Sequence, residues 1–132
     1  MMLTPTMLIT DDDRDLRETL GGVFERRGFT TLLAENGERA IEIVAHESVH
    51  VALLDMNMPR MSGLGVLQHL HRQQIQLPCI LLSANMDAEL EGQARAANAF
   101  SVRKKPIRVA DIDELVRQAL RHFYAWAADL GN

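Results

Sequence analysis

Val49-His50-Val51-Ala52-Leu53-Leu54-Asp55-Met56-Asn57-Met58-Pro59 is an apolar run that stops on a carboxylate and a proline-closed loop. The run is short and largely apolar without alternation, the pattern of a strand buried on both faces. Its expected limits are Val49 and Leu54. A strand covered on both sides belongs to a parallel sheet with helices above and below, so amphipathic segments should flank it in alternation with further apolar runs.

They do. Upstream, Met7-Leu8-Ile9-Thr10 ends abruptly in Asp11-Asp12-Asp13. Leu16, Leu20, Val23 and Phe24 then fall on one helical face, and Arg27-Gly28 is a stop signal. Gly21-Gly22 inside this helix costs about 1 kcal/mol per glycine against alanine, and nothing in the sequence accounts for it. Phe29 to Ala34 is the next run, and Asn36-Gly37 opens a helix to about Glu47. Downstream, Ser62 caps a helix containing Leu64, Leu67 and Leu70, and Cys79 to Leu82 is a fourth strand. A polar helix runs from about Asp87 to Ala97, and a fifth strand from about Ala99 to Lys104. The last helix starts near Ala110-Asp111 and carries Ile112, Leu115, Val116, Ala119, Leu120 and Phe123 in one stripe. Five strand–helix units without repeat, low-complexity tract or linker predict one α/β domain over residues 1–132.

Composition narrows the class. With 47% apolar and 24% charged residues the chain reads as globular. A net charge of −4 with both signs interspersed gives no general footprint for nucleic acid, so direct nucleic-acid binding is not expected. The single cysteine, Cys79, excludes an internal disulfide and reads as a core residue in its apolar run. Met1-Met2-Leu3-Thr4-Pro5 has no charged leader region, and no apolar stretch approaches ~18 residues. A cytoplasmic location without membrane attachment follows as the expectation.

Open parallel sheets bind ligands beyond the carboxyl ends of their strands. At those ends stand Asp11-Asp12-Asp13, then Asp55, then Ser83, then Lys105-Pro106. Carboxylates crowded together repel, so such a site raises a pKa or takes up a cation. Oxygen-only ligands in small number suit Mg²⁺, which keeps several waters and often touches phosphate. Asp13 is read as a plain helix cap. The bland alternatives are that Asp55 and Ser83 only close turns, and that Lys105 is a solvated lysine.

Asp11-Asp12, Asp55-Met56-Asn57-Met58-Pro59 with Gly63 beyond, Ser83-Ala84 and Lys105-Pro106 together resemble the receiver domain of two-component response regulators. The likeness runs over essentially the whole chain, in order and at four successive strand ends. It implies a flavodoxin-like (βα)5 sheet of order 2-1-3-4-5. It also implies that Asp55 accepts a phosphoryl group from a sensor histidine kinase or a histidine phosphotransfer protein. Asp11, Asp12, Asp55 and the backbone carbonyl of Asn57 would bind Mg²⁺, or Mn²⁺ in its place. Ser83, the backbone N–H of Ala84 and Lys105 would hold the phosphoryl oxygens. Asn57 and Asn85 stand at the positions that set the lifetime of the acyl phosphate, and moderate self-dephosphorylation is expected. The Lys105-Pro106 bond would be cis, which only proline makes inexpensive. No separate substrate is implied, so the protein is not expected to be an enzyme in the ordinary sense. It would act on a downstream protein target, with homodimerisation possible through helix four, strand five and helix five.

Two features depart from the pattern. Val102 stands where receivers carry an aromatic indicator, and Phe100 lies two positions earlier, so the aromatic toggle does not carry over. Arg103 and Lys104 replace the usual apolar residues of strand five. Charge protecting an edge strand from self-pairing explains them; a basic partner face formed with Arg108 is the sharper alternative. His46 and His50 are four apart but should not share a helix, so metal binding there is not expected. His69, His71 and His122 read as surface residues, and Met56, Met58 and Met61 as packing around a loop. A rival class is a small Mg²⁺-dependent phosphohydrolase of the haloacid-dehalogenase type, with Asp11 and Asp13 as its D-x-D. Against it, Asp15 stands where that pattern wants Thr or Val, no late acidic pair follows a fourth strand, and no cap domain is present. A receiver-shaped interaction module that is never phosphorylated is the second rival; the complete acidic site argues against it. Phe123-Tyr124-Ala125-Trp126 runs on to Asn132 without a recognisable output domain, so the expectation is either action by docking or a piece of a longer protein.

Overall fold

The computed structural model describes residues 4–125. Met1-Met2-Leu3, read above for a leader, and the closing stretch Trp126 to Asn132 lie outside the described residues. The elements are β1 (Thr6–Thr10), α1 (Arg14–Arg26), β2 (Thr30–Ala34), α2 (Gly37–His46), β3 (Val51–Asp55), α3 (Gly63–Arg72), β4 (Cys79–Ser83), α4 (Ala88–Ala96), β5 (Ser101–Lys104) and α5 (Val109–Tyr124). All strand pairs are parallel, and the sheet runs β2-β1-β3-β4-β5. This is the flavodoxin-like order expected of the family.

The period-2 pleat sorts the apolar runs onto two faces. Leu8, Ala52, Leu54 and Leu81 point to one core, closed by Ile43 of α2, Leu64, Val66 and Leu67 of α3, and Leu90 of α4. Met7, Ile9, Val51, Leu53, Ile80 and Leu82 point to the other, closed by Leu20 and Phe24 of α1 and by Ile112, Leu115, Val116 and Leu120 of α5. All five residues of β3 and of β4 are buried, as central strands of such a sheet must be.

Local signals set the helix ends. Asp13, Asn36, Ser62 and Asp87 each accept backbone N–H bonds in the first turn of their helices. Gly28 follows α1 at φ 95°, the left-handed conformation that ends a helix most easily with glycine. Boundaries shift by small steps from expectation. β3 begins at Val51, two residues late, and takes in Asp55 itself, which pairs with Leu82 of β4. Strands β2 and β5 start at Thr30 and Ser101, and α5 begins one residue early at Val109. The unexplained Gly21 gains an explanation: a Cβ there would come to 3.2 Å from Leu33 of β2, so glycine lets α1 lie close on the sheet edge. Gly22 meets only the flexible Arg26 side chain, and nothing in the structure explains it.

β5 is an edge strand with Arg103 and Lys104 exposed, the arrangement that the protective reading of these charges requires. Cys79 is fully buried, and burial pushes its thiol up to about 12, which suits an inert core residue. No helix of the described residues is long and apolar enough to cross a membrane.

His46 closes α2 while His50 precedes β3, so the two share no helix face. Thr6 N–H donates to His50 Nδ1 at 2.9 Å, and Tyr124 O–H to the His50 carbonyl at 2.8 Å. Burial lowers the His50 pKa, because the charged ring loses solvation. The sign for stability follows. Below the ordinary value of 6.5 the unfolded chain binds a proton that the folded chain refuses. The His50 contribution is therefore complete above 6.5 and is lost as the pH falls through the lower folded-state value. We expect the melting temperature to fall more steeply on acidification from 6.5 in the wild type than in His50→Asn. Parallel curves in calorimetry would remove that assignment.

Candidate functional site

Parallel strands bring their carboxyl ends to one edge, and the acidic residues of β1 and β3 meet there because these strands are neighbours. Side-chain oxygens of Asp11, Asp12 and Asp55 all lie within 4.8 Å of one another. Asp11 is buried and tightly held: its N–H donates to the Ala34 carbonyl at 3.1 Å, and its Oδ1 accepts from Asp13 N–H at 2.9 Å. Asp12 is exposed. Just beneath, Thr10 Oγ1 donates to the Leu53 carbonyl at 2.7 Å, lacing β1 to β3 under the acids.

Lys105 enters from the loop after β5. Its backbone N–H donates to the Ser83 carbonyl at 2.9 Å, and the Lys105-Pro106 bond is cis. The ammonium lies 2.8 Å from Asp55 Oδ1 and 3.4 Å from Asp11 Oδ2. The approach to Asp55 is that of a close ion pair. Among the described residues, Asp55 Oδ1 is the buried side-chain oxygen left without a hydrogen bond. Burial raises the Asp55 pKa; Lys105 pulls it back, Asp11 and Asp12 add repulsion, and the balance stays above the ordinary carboxylate value. Burial works to lower the Lys105 pKa, but Asp55 and Asp11 outweigh it and the ammonium is held above the usual lysine value.

The donor set fits a hard divalent cation. It contains only oxygen ligands, a buried one has an unused lone pair, and Asp12 leaves one side open to water. A site of one charge sign satisfied by a single ammonium has capacity left for an ion such as Mg²⁺.

The remaining residues named from the sequence lie around this edge in different states of readiness. Ser83 is buried at the end of β4, but its hydroxyl donates to the Asn85 carbonyl at 3.0 Å and accepts from Asn85 N–H at 3.2 Å. The hydroxyl is therefore engaged in its own turn. Ala84 lines the cavity that contains Asp55, whereas Asn57 and Asn85 are exposed on the loops beyond β3 and β4. Asp13 Oδ1 accepts from Asp15 and Leu16 N–H and serves the helix cap. Met56, Met58 and Met61 pack against the core, as expected for loop filling.

Sequence reasoning missed the apolar wall. Leu16, Leu20, Ile107, Val109 and Ile112 surround a cavity of about 450 Å³ that opens onto Asp11, Asp55 and Lys105. Leu16, at 39% exposure, is one of few large apolar side chains left in water among the described residues. Its signal was present in the chain as an apolar residue in the first turn of α1, but helical periodicity assigned it to the core.

A flavodoxin-like sheet with three carboxylates and an ammonium gathered at the carboxyl ends of its strands defines the class of protein. The sequence profile of the response regulator receiver domain matches residues 7–117, and the chain belongs to that family. It is 35% identical to the response regulator protein PilR of Pseudomonas aeruginosa over 86% of this chain and 26% of that protein. It is 29% identical to sporulation initiation phosphotransferase F of Bacillus subtilis, over 90% of this chain and 96% of that protein. The receiver domain of the Francisella response regulator 1452 superposes with a TM-score of 0.85 at 25% identity, covering 90% of this chain and 98% of that one. The chain spans about a quarter of the length of the curated relatives it matches first.

Proposed function

We propose that this chain, over residues 1–132, is a phosphorylation switch whose acceptor is Asp55. The observation that carries the reading is the buried Asp55 Oδ1, unpartnered by any hydrogen bond, with Lys105 at 2.8 Å and two further carboxylates within 4.8 Å. Asp55 reacts as its carboxylate, the form that the neighbouring Lys105 ammonium favours, and so needs no base. Its oxygen attacks the phosphorus of a phosphohistidine; the new O–P bond forms as the P–N bond breaks, and the imidazole leaves with a proton from water. Phosphoryl transfer has a loose transition state, so alignment and charge neutralisation do most of the catalysis. Asp11, Asp12, Asp55 and the Asn57 carbonyl would hold Mg²⁺, or Mn²⁺, which when bound would supply part of that neutralisation. Lys105 supplies the rest and pairs with the transferred group, while the Ala84 N–H donates to it. Ser83 joins only by releasing Asn85, which moves the loop before α4. Adding a charge of about −1.5 to −2 supplies the pull.

With Val102 in β5, the signal passes through this loop and α4 to a downstream protein, without the aromatic toggle. A homodimer through α4, β5 and α5 belongs to the same reading, as does a cytoplasmic location, where the donor is a sensor histidine kinase or phosphotransfer protein. The protein turns over no separate substrate. Asn57 and Asn85 leave the acyl phosphate open to water, and a half-life of days would contradict their role. The phosphohydrolase reading is disfavoured because Asp13 is spent on the α1 cap.

The test is incubation with acetyl phosphate and Mg²⁺ followed by intact mass. One acid-labile phosphoryl group is expected; turnover of generic phosphate esters would favour the hydrolase. The apolar cavity beside Asp55 offers a seat for apolar side chains flanking the donor histidine. Leu16→Ala should slow transfer from a phosphohistidine protein by about tenfold, the effect of roughly 1.4 kcal/mol. Its rate with acetyl phosphate should be unchanged. Equal losses with both donors would show damage to the site instead.

A further inference from the structure

We infer that Arg17 is a positioning residue for the cation site, acting through the backbone of Asp11. The inference rests on the cation-binding part of the proposed function. Arg17 lies in the first turn of α1, and its side chain folds back over the helix N-terminus. There its Nη1 donates to the Asp11 carbonyl at 2.7 Å. Among the described residues this is the one hydrogen bond its side chain makes. The placement is unusual on electrostatic grounds, because a helix N-terminus is the positive end of the macrodipole and repels a cation. Arg14, also in that turn, is compensated by Glu18 at 3.1 Å. Among the described residues Arg17 has no carboxylate within ion-pair distance, and it is compensated by a carbonyl and by the field of the adjacent acidic cluster.

That carbonyl is a well-chosen point to hold. Asp11 is the buried member of the cluster, and its other polar groups are already fixed. The N–H is taken by Ala34, Oδ1 by Asp13 N–H, and Oδ2 faces Lys105 at 3.4 Å. Arg17 closes the fourth side, so Asp11 and the adjacent Asp12 are presented in one orientation on the turn between β1 and α1. A charge-assisted bond from a half-buried guanidinium resists rotation of that peptide better than water does. Groups that hold metal ligands typically change metal affinity by 10–100-fold when removed. Pure charge would act the opposite way, since a guanidinium near the site repels a divalent cation. Positioning and repulsion therefore predict opposite signs.

The experiment is isothermal calorimetry of Mg²⁺ binding to the full chain and to Arg17→Ala and Arg17→Lys, with circular dichroism confirming that each is folded at the temperature used. Arg17→Ala should bind Mg²⁺ about tenfold more weakly. Arg17→Lys should recover part of the loss, because lysine keeps the positive charge but offers a mobile ammonium in place of a planar fork. With acetyl phosphate as donor, the Mg²⁺ concentration for half-maximal phosphorylation should rise by a similar factor, while the rate at saturating Mg²⁺ stays within about twofold. A lower melting temperature with unchanged Mg²⁺ affinity would leave Arg17 a purely structural role and overturn the inference, as would tighter binding. The wild-type arm separates the two claims. If wild type binds Mg²⁺ and is phosphorylated while the variant ratio is one, only the Arg17 inference falls. If wild type binds no Mg²⁺, the cation reading falls and the inference with it.

Discussion

Asp55→Asn should take up no phosphoryl group from acetyl phosphate under conditions where the wild type gains one, and it should melt at a higher temperature in the absence of divalent cations. The first effect is chemical. An amide oxygen is a poor nucleophile, and the neighbouring carboxylates are badly placed to replace it. Asp11 is tied at its carboxylate by Asp13 N–H and Lys105, and Asp12 is exposed to water. The second effect comes from the position of Asp55 at the end of the central strand. Burial and the adjacent acids raise its pKa, so its ionised form at neutral pH is a charge the folded state holds against the solvation it would have when unfolded. Asparagine keeps the shape and removes the charge, and Lys105 keeps Asp11 as partner. The same substitution should abolish most of the rise in melting temperature that Mg²⁺ produces in the wild type, because ligand binding to the native state stabilises it in proportion to affinity. Intact mass and calorimetry read all three. An acid-labile adduct of equal yield on the variant would place the acceptor elsewhere and sink the assignment.

The site is thus built from opposed demands. The sheet puts three carboxylates together, and the fold tolerates them only with an ammonium and room for a cation. Among the described residues, this leaves the carboxylate at the tip of β3 held by the Lys105 ammonium alone, at 2.8 Å, with the other two acids beside it. Ser83 shows that the site is not closed around that carboxylate, since its hydroxyl is engaged with Asn85. If Ser83 turns to a phosphoryl group as proposed, these two bonds to Asn85 are the ones it must give up.

The alternation of apolar runs and helical stripes made the fold legible because a doubly covered sheet leaves a mark at every position. Continuous apolar runs become β3 and β4, and Asp13, Asn36, Ser62 and Asp87 cap helices by local chemistry alone. The four strand ends were legible for the same reason. What could not be read were relations between distant elements. The place of Gly21 depends on Leu33 of the next strand, and the cavity behind Leu16 depends on how α5 lies against α1. The two-residue error at Val49 has a similar cause. Val49 is apolar and packs against the core, but His50 holds the entrance to β3 through Thr6, so the ladder begins only at Val51.

Gly63→Ala should lower the melting temperature by on the order of 5–10 °C and slow phosphorylation of Asp55 about tenfold, although residue 63 carries no functional group. Gly63 is the first residue of α3, and its N–H donates to the Met56 carbonyl at 3.1 Å. A Cβ at this position would stand 2.5 Å from the Asp55 carbonyl oxygen and 2.7 Å from Leu81 Cδ1, both inside van der Waals contact. One obstacle is the backbone of the acceptor itself and the other is the packed core, so neither can rotate aside as an exposed side chain would. Overpacking of this kind typically costs about 1–3 kcal/mol. The strain is relieved either by moving α3 outward or by moving the end of β3. The second displaces Asp55 from Lys105, and a shift of roughly 1 Å in a reacting group is enough to cost as much as a hundredfold in rate. The proper comparison is Gly92→Ala in α4, where no atom lies within 4 Å of the added carbon and alanine is the better helix former. That variant should hold or raise the melting temperature and leave the phosphorylation rate alone. If Gly63→Ala melts like the wild type and is phosphorylated at its rate, α3 does not press on the acceptor strand, and the geometry assigned to the end of β3 is wrong.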